Sequence, residues 1–275
     1  MIEIPEAFHI SRQINQHLAG SQVAAVQVAV SPHKFAWYEG DPAGYAALLT
    51  GKIIRSAQPV GGMLEIALDD SLIVLSEGAY PRLYADGEMP PAKHQLMLSF
   101  TDGAFLAVSV RMYGGILTFK QGQGKNDYYL LAGTKPSPLM SAFDQAYFAA
   151  LIADDNVQNL SAKAFLATEQ RIPGLGNGVL QDILFQAGIH PKTKLADLAQ
   201  HQRVNLYNAV KQTLERMAHN GGRDTEQDLF GQPGGYQTLC SKLTVGNPCQ
   251  QCGVAIQKAS YMGGSVYFCP ACQPL

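Results

Sequence analysis

The sequence is sparing in three things. One of its 275 residues is tryptophan, five are cysteine, and charged residues make up only 15% of the chain. Neither sign of charge dominates, with a net charge of −2 and a pI near 6.4. Residues 1–140 carry ten Lys and Arg against twelve Asp and Glu, and the remainder ten against ten. This excludes a globally basic surface of the kind that binds nucleic acid by displacing counterions. Any such surface has to be local. No run of about 18 apolar residues occurs, so no membrane-spanning helix is expected. Glu3 and Glu6 stand where a secretory signal would carry Lys or Arg, and no apolar stretch follows them, so a cytoplasmic location is expected.

What is present is apolar material, 47% of the chain, enough for one large domain or two medium ones with packed cores. Pro5 suits the first turn of a helix, where its missing N–H costs nothing. Ala7, Ile10, Ile14 and Leu18 then follow helical spacing up to Gly20. From about 22 to 120 the texture becomes short apolar runs such as "VAAVQVAV", "KIIRSAQPV", "MLEIALDDSLIVLS" and "HQLMLSFTDGAFLAVSV", with "LDDSL" and "FTDGAF" as hairpin turns. That pattern predicts a β-sandwich or barrel. Residues 121–140 are rich in Gly, Pro and polar residues and read as a linker. Residues 141–242 have helical spacing, and 243–275 form a small terminal module. The expected class is α+β: an N-terminal helix with a β-domain over 1–120, then the linker, a helical domain and the terminal module.

The terminal module holds Cys249, Cys252, Cys269 and Cys272, two C-x2-C pairs separated by 16 residues. Paired thiolates at this spacing point to one tetrahedral structural zinc site, with "YMGGSVYF" as the hairpin between the knuckles. Cys240 lies outside the pattern and reads as a packed thiol.

The most specific stretch is "ATEQRIPGLGNGVLQDILFQAGIHP", residues 167–191. A helix is expected to end near Gln170 and another to begin at or near Asn177, a good N-cap. Gly174 and Gly176 permit tight backbone geometry. Backbone N–H groups at such a helix start form an anion site that needs little net positive charge.

"GLGNGVLQDILFQAGIHP", the finger ending in "FCPACQ", and the opening "EIPE" together resemble the formamidopyrimidine-DNA glycosylase / endonuclease VIII family along essentially the whole chain. The resemblance implies the α+β fold above with a helix-two-turn-helix domain and a four-cysteine zinc finger. It implies a monomeric DNA-repair protein acting on damaged or abasic double-stranded DNA. In that family an everted base is excised. The N-terminal amine forms a Schiff base with the sugar and the strand is cut by elimination, with a carboxylate as acid/base. The alternative is a lesion-binding protein on the same scaffold, without glycosylase activity or with lyase activity alone.

Residue by residue, the resemblance places Met1 or Ile2 at the attacking amine and Glu3 and Glu6 at the family's two carboxylates. It places Lys163 and Asn177 on phosphate. Arg111 and Tyr113 in "SVRMYGG" fall on the Arg and aromatic wedge that enter the duplex. Four positions depart from the pattern. Ile2 replaces the nucleophilic proline, Gly62 a hairpin lysine, Ala79 a void-filling residue, and Gly264 the finger arginine. Methionine is removed mainly before small residues, so Met1 is expected to remain. "HKFAWY" reads as a strand packing its aromatics, or with His33 and Lys34 lining a pocket. Arg223 and Thr225 fall in the family's base-pocket loop.

Overall fold

Helix α1 (Ile4–His17) starts where the opening carboxylates and Pro5 favour it. Glu3 is its N-cap, and the Glu6 carboxylate turns back to accept the Glu3 N–H at 3.1 Å. A terminal donor that the helix itself leaves unpaired is thereby satisfied. The computed structural model describes residues 1–275 and divides into two units, Met1–Gly133 with Glu226–Pro233, and Thr134–Thr225 with Gly234–Leu275.

The first unit is a sandwich of two sheets. One has the order β1 (Val23–Val28), β7 (Leu96–Phe100), β8 (Phe105–Val110), β6 (Ala79–Tyr84). The other runs β2 (Ala36–Tyr38), β9 (Gly114–Lys120), β5 (Ser71–Leu75), β4 (Met63–Leu68), β3 (Ile54–Val60). All neighbours are antiparallel except β2 and β9. Ile66, Leu75 and Ile116 of one sheet share a core with Leu98, Leu106 and Val108 of the other, with Ile10 and Ile14 of α1, and with Tyr45 and Leu49 of the short α2 (Tyr45–Leu49). The Asn15 amide seals α1 onto β3, exchanging bonds of 2.6 and 2.7 Å with the backbone of Ala57.

"SLIVL" is apolar without alternation because both faces of its sheet are covered. Leu72, Val74, Leu117 and Phe119 look away from the central core and meet Ala132 of α3 (Asp127–Gly133). Residues 121–140, expected as a linker, therefore include a helix. Its job is to cover this outer face, a demand that local composition does not reveal. Strand β6 was hidden by Pro81, which lowers strand propensity but is tolerated on a sheet edge, where β6 lies. Gly78 precedes β6 and exchanges backbone bonds of 2.8 and 3.0 Å with Arg111 and Tyr113. A Cβ at Gly78 would lie 2.0 Å from the Arg111 carbonyl oxygen, so only glycine lets the 111–113 loop sit this close. Segment 226–233 belongs to this unit. Leu229 is buried in the core, and Gln13 bonds to both Leu229 N–H and the Asp228 carboxylate.

In the second unit, α4 (Gln145–Ala153) and the long α7 (Gln200–His219) pack Phe143, Phe148 and Tyr207 together, and Phe148 also meets Phe165 of α5 (Ala162–Ala167). Helix α6 (Val179–Ala187) ends at Gly188 in the left-handed region, the usual helix stop. Helix α5 ends at Ala167, and α6 begins two residues after Asn177, so Asn177 is not the N-cap. Its side chain is turned to another task, described below. Strands β10 (Gln257–Tyr261) and β11 (Gly264–Phe268) form the hairpin expected between the cysteine pairs.

Asp182, on the buried face of α6, ties that helix to the chain entering the cysteine module by accepting the Leu239 and Cys240 N–H groups at 2.9 and 2.8 Å. Burial pushes its carboxyl up to about 6, although these bonds pull the other way. The folded protein therefore holds this proton to higher pH than the unfolded chain, whose carboxyl titrates near 4. The native state binds more protons in that window, so stability falls as pH rises from about 4 to 6. Asp182→Asn is expected to flatten this slope in thermal melts followed between those pH values.

Candidate functional site

Two groups of the expected residues assemble, one in each unit. In the first, the chain start is pinned by its second residue. The Ile2 side chain is buried in the sandwich core, and its N–H donates to the Glu77 carbonyl at 2.8 Å. The Met1 α-amine then lies 2.8 Å from a carboxylate oxygen of Glu226. The other Glu226 oxygen accepts the Tyr80 hydroxyl. Arg111 stacks its guanidinium 4.7 Å from the centre of the Tyr80 ring and donates to Gln227 at 2.7 Å. The amine, a carboxylate, a phenol and a guanidinium thus form one connected group, built from four separate stretches of the first unit.

Glu3 and Glu6, the next carboxylates along the chain from Met1, are both buried. Glu6 carries the helix-capping bond described above, which gives it a structural role at this position. Glu77 adds a carboxylate on a backbone in the left-handed region, and one of its oxygens is buried without a hydrogen-bond partner. Desolvation raises its carboxyl above the ordinary range. Tyr113 sits half-buried at the end of the 111–113 loop, and its phenol is raised by burial and by the charges of Glu77 and Glu3. The geometry places the Met1 amine among groups able to accept or return a proton.

Of the departures in this unit, Gly62 occupies the two-residue Gly61–Gly62 turn of the β3–β4 hairpin. Ala79 is wholly buried in the core, so it offers nothing outward. In "HKFAWY" a strand does form, but Phe35 and Trp37 are exposed at 52% and 43%, so these two rings are not packed away. A strand packing its aromatics was expected, but β2 is only three residues long and lies at a sheet edge, where fewer neighbours cover its side chains. Lys34 is exposed and lies 5.4 Å over Phe35, and His33 accepts the Phe35 N–H.

In the second unit, Lys163 and Asn177 meet the β10–β11 hairpin. Lys163 is buried and its ammonium donates to the Tyr261 carbonyl at 2.7 Å. Burial lowers its pKa from the ordinary lysine value. Asn177 donates to the Ser265 carbonyl at 3.0 Å, and Gln181 clasps the same strand through Ser265 and Tyr267. The Asn177 side-chain oxygen is buried without a partner. A Cβ at Gly264 would lie 3.4 Å from the Lys163 ammonium and 3.7 Å from the Asn177 amide. The position that lacks the expected arginine therefore faces the two polar side chains singled out from the sequence. Arg223 is buried in this unit and Thr225 half-buried.

The four cysteine sulfurs of the terminal module all lie within 4.8 Å of one another. Cys249 and Cys272 are 3.8 Å apart, and Cys252 and Cys269 3.4 Å. A tetrahedral ion with metal–sulfur bonds of about 2.3 Å requires sulfurs about 3.8 Å apart, so the set is able to bind a metal. Cys240 packs beside the set in the same small apolar cluster.

Sequence reasoning found Met1, Ile2 and Glu3 but not Glu226, Tyr80 or Glu77. Glu226 lies 225 positions along the chain from the amine it holds, in a segment whose glycines and acidic residues look like an ordinary loop.

Known proteins resemble this chain across both units. Residues 1–148 match the formamidopyrimidine-DNA glycosylase N-terminal domain, and residues 134–228 the helix-two-turn-helix domain of the same enzymes. The formamidopyrimidine-DNA glycosylase of Bacillus licheniformis is 31% identical, covering 99% of both chains. That of Bacillus subtilis is 28% identical, also over 99% of both. Among solved structures, a complex of Lactococcus lactis Fpg with abasic-site DNA superposes with a TM-score of 0.83 at 25% identity, over 99% of this chain and 100% of that one. A complex of MutM with DNA containing carbocyclic 8-oxoG also gives 0.83 at 25%, with the same coverage. The chain belongs to the formamidopyrimidine-DNA glycosylase family.

Proposed function

We propose that this protein binds damaged or abasic double-stranded DNA and acts as a base-excision-repair glycosylase and abasic-site lyase through its N-terminal amine. The observation that carries this reading is the Met1 amine held 2.8 Å from Glu226, with buried Glu3 the next carboxylate along the chain. The relatives bring the DNA context: an Fpg crystallised with abasic-site DNA and a MutM with an oxidised guanine analogue.

A primary amine adds to the aldehyde of an opened abasic sugar and, with loss of water, gives a Schiff base. Glu3 serves as the acid/base of that sequence. Arg111 and Tyr113 enter the duplex from the 111–113 loop, and Lys163 and Asn177 hold phosphate. The Asn177 amide and Lys163 ammonium are polar hydrogen donors, which suits phosphate oxygens. The cysteine set holds zinc, since thiolates suit that ion and no redox role is evident. The zinc fixes the β10–β11 hairpin and takes no part in the chemistry.

A second reading keeps the DNA binding and drops the amine chemistry altogether. It is favoured by Ile2, whose nitrogen is an amide bonded to the Glu77 carbonyl, and by Gly62 and Gly264, where the cations of the family pattern are replaced.

Borohydride trapping on a duplex with one abasic site separates the two. The enzyme reading expects a covalent protein–DNA product, with intact and peptide mass locating it on the N-terminal residue. Glu3→Gln should slow its formation by about 100-fold, the scale of one acid/base group. Retained DNA binding without any cross-link leaves the second reading.

Lys163→Ala combined with Asn177→Ala is expected to weaken binding of the abasic duplex by at least about tenfold, as loss of two charge-assisted or polar phosphate contacts should. Fluorescence anisotropy of labelled duplex reads this directly, and unchanged affinity removes the proposed docking.

Metal analysis of purified protein should return about one zinc per chain. Cys252→Ser should lose that zinc and lower the melting temperature, because binding energy at such a site is folding energy.

A further inference from the structure

The chain's single tryptophan is at the surface. Trp37 is 43% exposed, although burying a large aromatic ring ordinarily contributes more to a core than any other side chain. Its seat is built for it. Strand β2 pairs in parallel with β9, bringing Trp37 opposite Gly115, and the Gly114 N–H donates to the Phe35 carbonyl at 3.0 Å. A Cβ at position 115 would lie 2.9 Å from the indole nitrogen. The bare backbone of Gly115 therefore leaves room for the indole in this position.

In that position the indole lies parallel to the Tyr113 ring. The planes are inclined by 14° and the centroids are 6.0 Å apart, an offset stack. Tyr113 belongs to the 111–113 loop that Gly78 holds in place, so the ring pair is fixed from both sides. A base inserted between two parallel rings needs about 7 Å, twice the ~3.4 Å base spacing. The pair is too close for that, so a third ring can only add to its exposed side. Met112, 72% exposed on a left-handed backbone, extends the apolar surface at the loop tip. Two exposed cations accompany these rings in the sequence: Lys34, three residues before Trp37, and Arg111, two before Tyr113.

We propose that Trp37 extends Tyr113, the ring already read as entering the duplex, into a two-ring stacking platform for one unpaired nucleobase of the damaged duplex, with Lys34, three residues away, as the cation for a flanking phosphate. The proposal rests on the DNA-repair reading above and deepens it. A lesion that loses or everts one base leaves its partner unpaired, and that partner has a free π-face. Base–aromatic stacking is tolerant of sequence and contributes strongly per base, which suits a protein with little net positive charge. The occupant is a base and not a protein side chain, because two fixed parallel rings offer a flat aromatic surface that matches the face of a planar base.

Trp37 reports on itself, being the only tryptophan. A duplex containing one tetrahydrofuran abasic analogue, and the intact duplex of the same length, are titrated into the wild-type protein. Trp37 emission and the anisotropy of labelled DNA are read in parallel. The expected result is quenching that saturates with binding and is larger for the abasic duplex. Trp37→Ala should weaken that binding about tenfold, and Trp37→Phe should stay within about threefold, on the scale of one base–aromatic contact. Gly115→Ala, which crowds the indole without removing it, should weaken binding in the same direction. Circular dichroism melts verify that the variants remain folded, and the wild-type fluorescence result depends on no variant. Binding with unmoved Trp37 emission, or a folded Trp37→Ala protein that binds as tightly as wild type, overturns the platform and leaves the repair reading standing. Absence of binding to either duplex overturns both.

Discussion

The burial of Ile2 is the constraint on which the candidate active site depends. Taking that side chain into the sandwich core contributes roughly 2 kcal/mol, the usual value for an aliphatic residue of its size. The partly exposed ion pair between the Met1 amine and Glu226 contributes roughly 1 kcal/mol or less. The apolar anchor therefore sets the position of the chain start, and the ion pair orients what the anchor delivers. Ile2 thus gives the chain start a fixed place in the core. The amine comes to rest one residue further out, against a carboxylate from a distant segment.

The same division between apolar placement and polar orientation recurs around the first unit. Leu229 is buried in the core, and its segment thereby carries Glu226 and Gln227 to the amine and to Arg111. Gly78 lets the 111–113 loop close down, and Arg111 and Tyr113 emerge from it. In the second unit the polar side chains themselves do the joining. Gln181, Asn177 and Lys163 bond to the backbone of the β10–β11 hairpin, so the cysteine module and the helix-two-turn-helix segment share one set of contacts. Asp182 adds a third tie, at residues 239 and 240. A structural metal at the cysteines would thus brace the residues proposed to hold phosphate without touching the DNA itself.

Much of this was legible in the sequence wherever the signal was local. Ile10 and Ile14 recur at helical spacing and face the core. Asp69–Asp70 and Asp102–Gly103 mark hairpins that form. Cys249, Cys252, Cys269 and Cys272 lie at ligand spacing and converge. The readings that changed concern what a segment must cover or reach. Helix α3 forms inside an apparent linker because a sheet face needs covering. Asn177 leaves the helix-cap position and turns to Ser265. Trp37 lies on a strand, as its neighbours suggested, but outside the core.

The sequence by itself determined the α+β order of elements, the four-cysteine set and the family to which the chain belongs. Periodicity, turn residues and short motifs are properties of neighbouring positions. Only the tertiary structure decided that Glu226 joins the amine to Tyr80, that Lys163 reaches Tyr261, and that Trp37 stacks on Tyr113. Those pairs lie from 76 to 225 positions apart. Contacts at that distance are imposed by the packing of whole sheets and helices, and no local pattern encodes them.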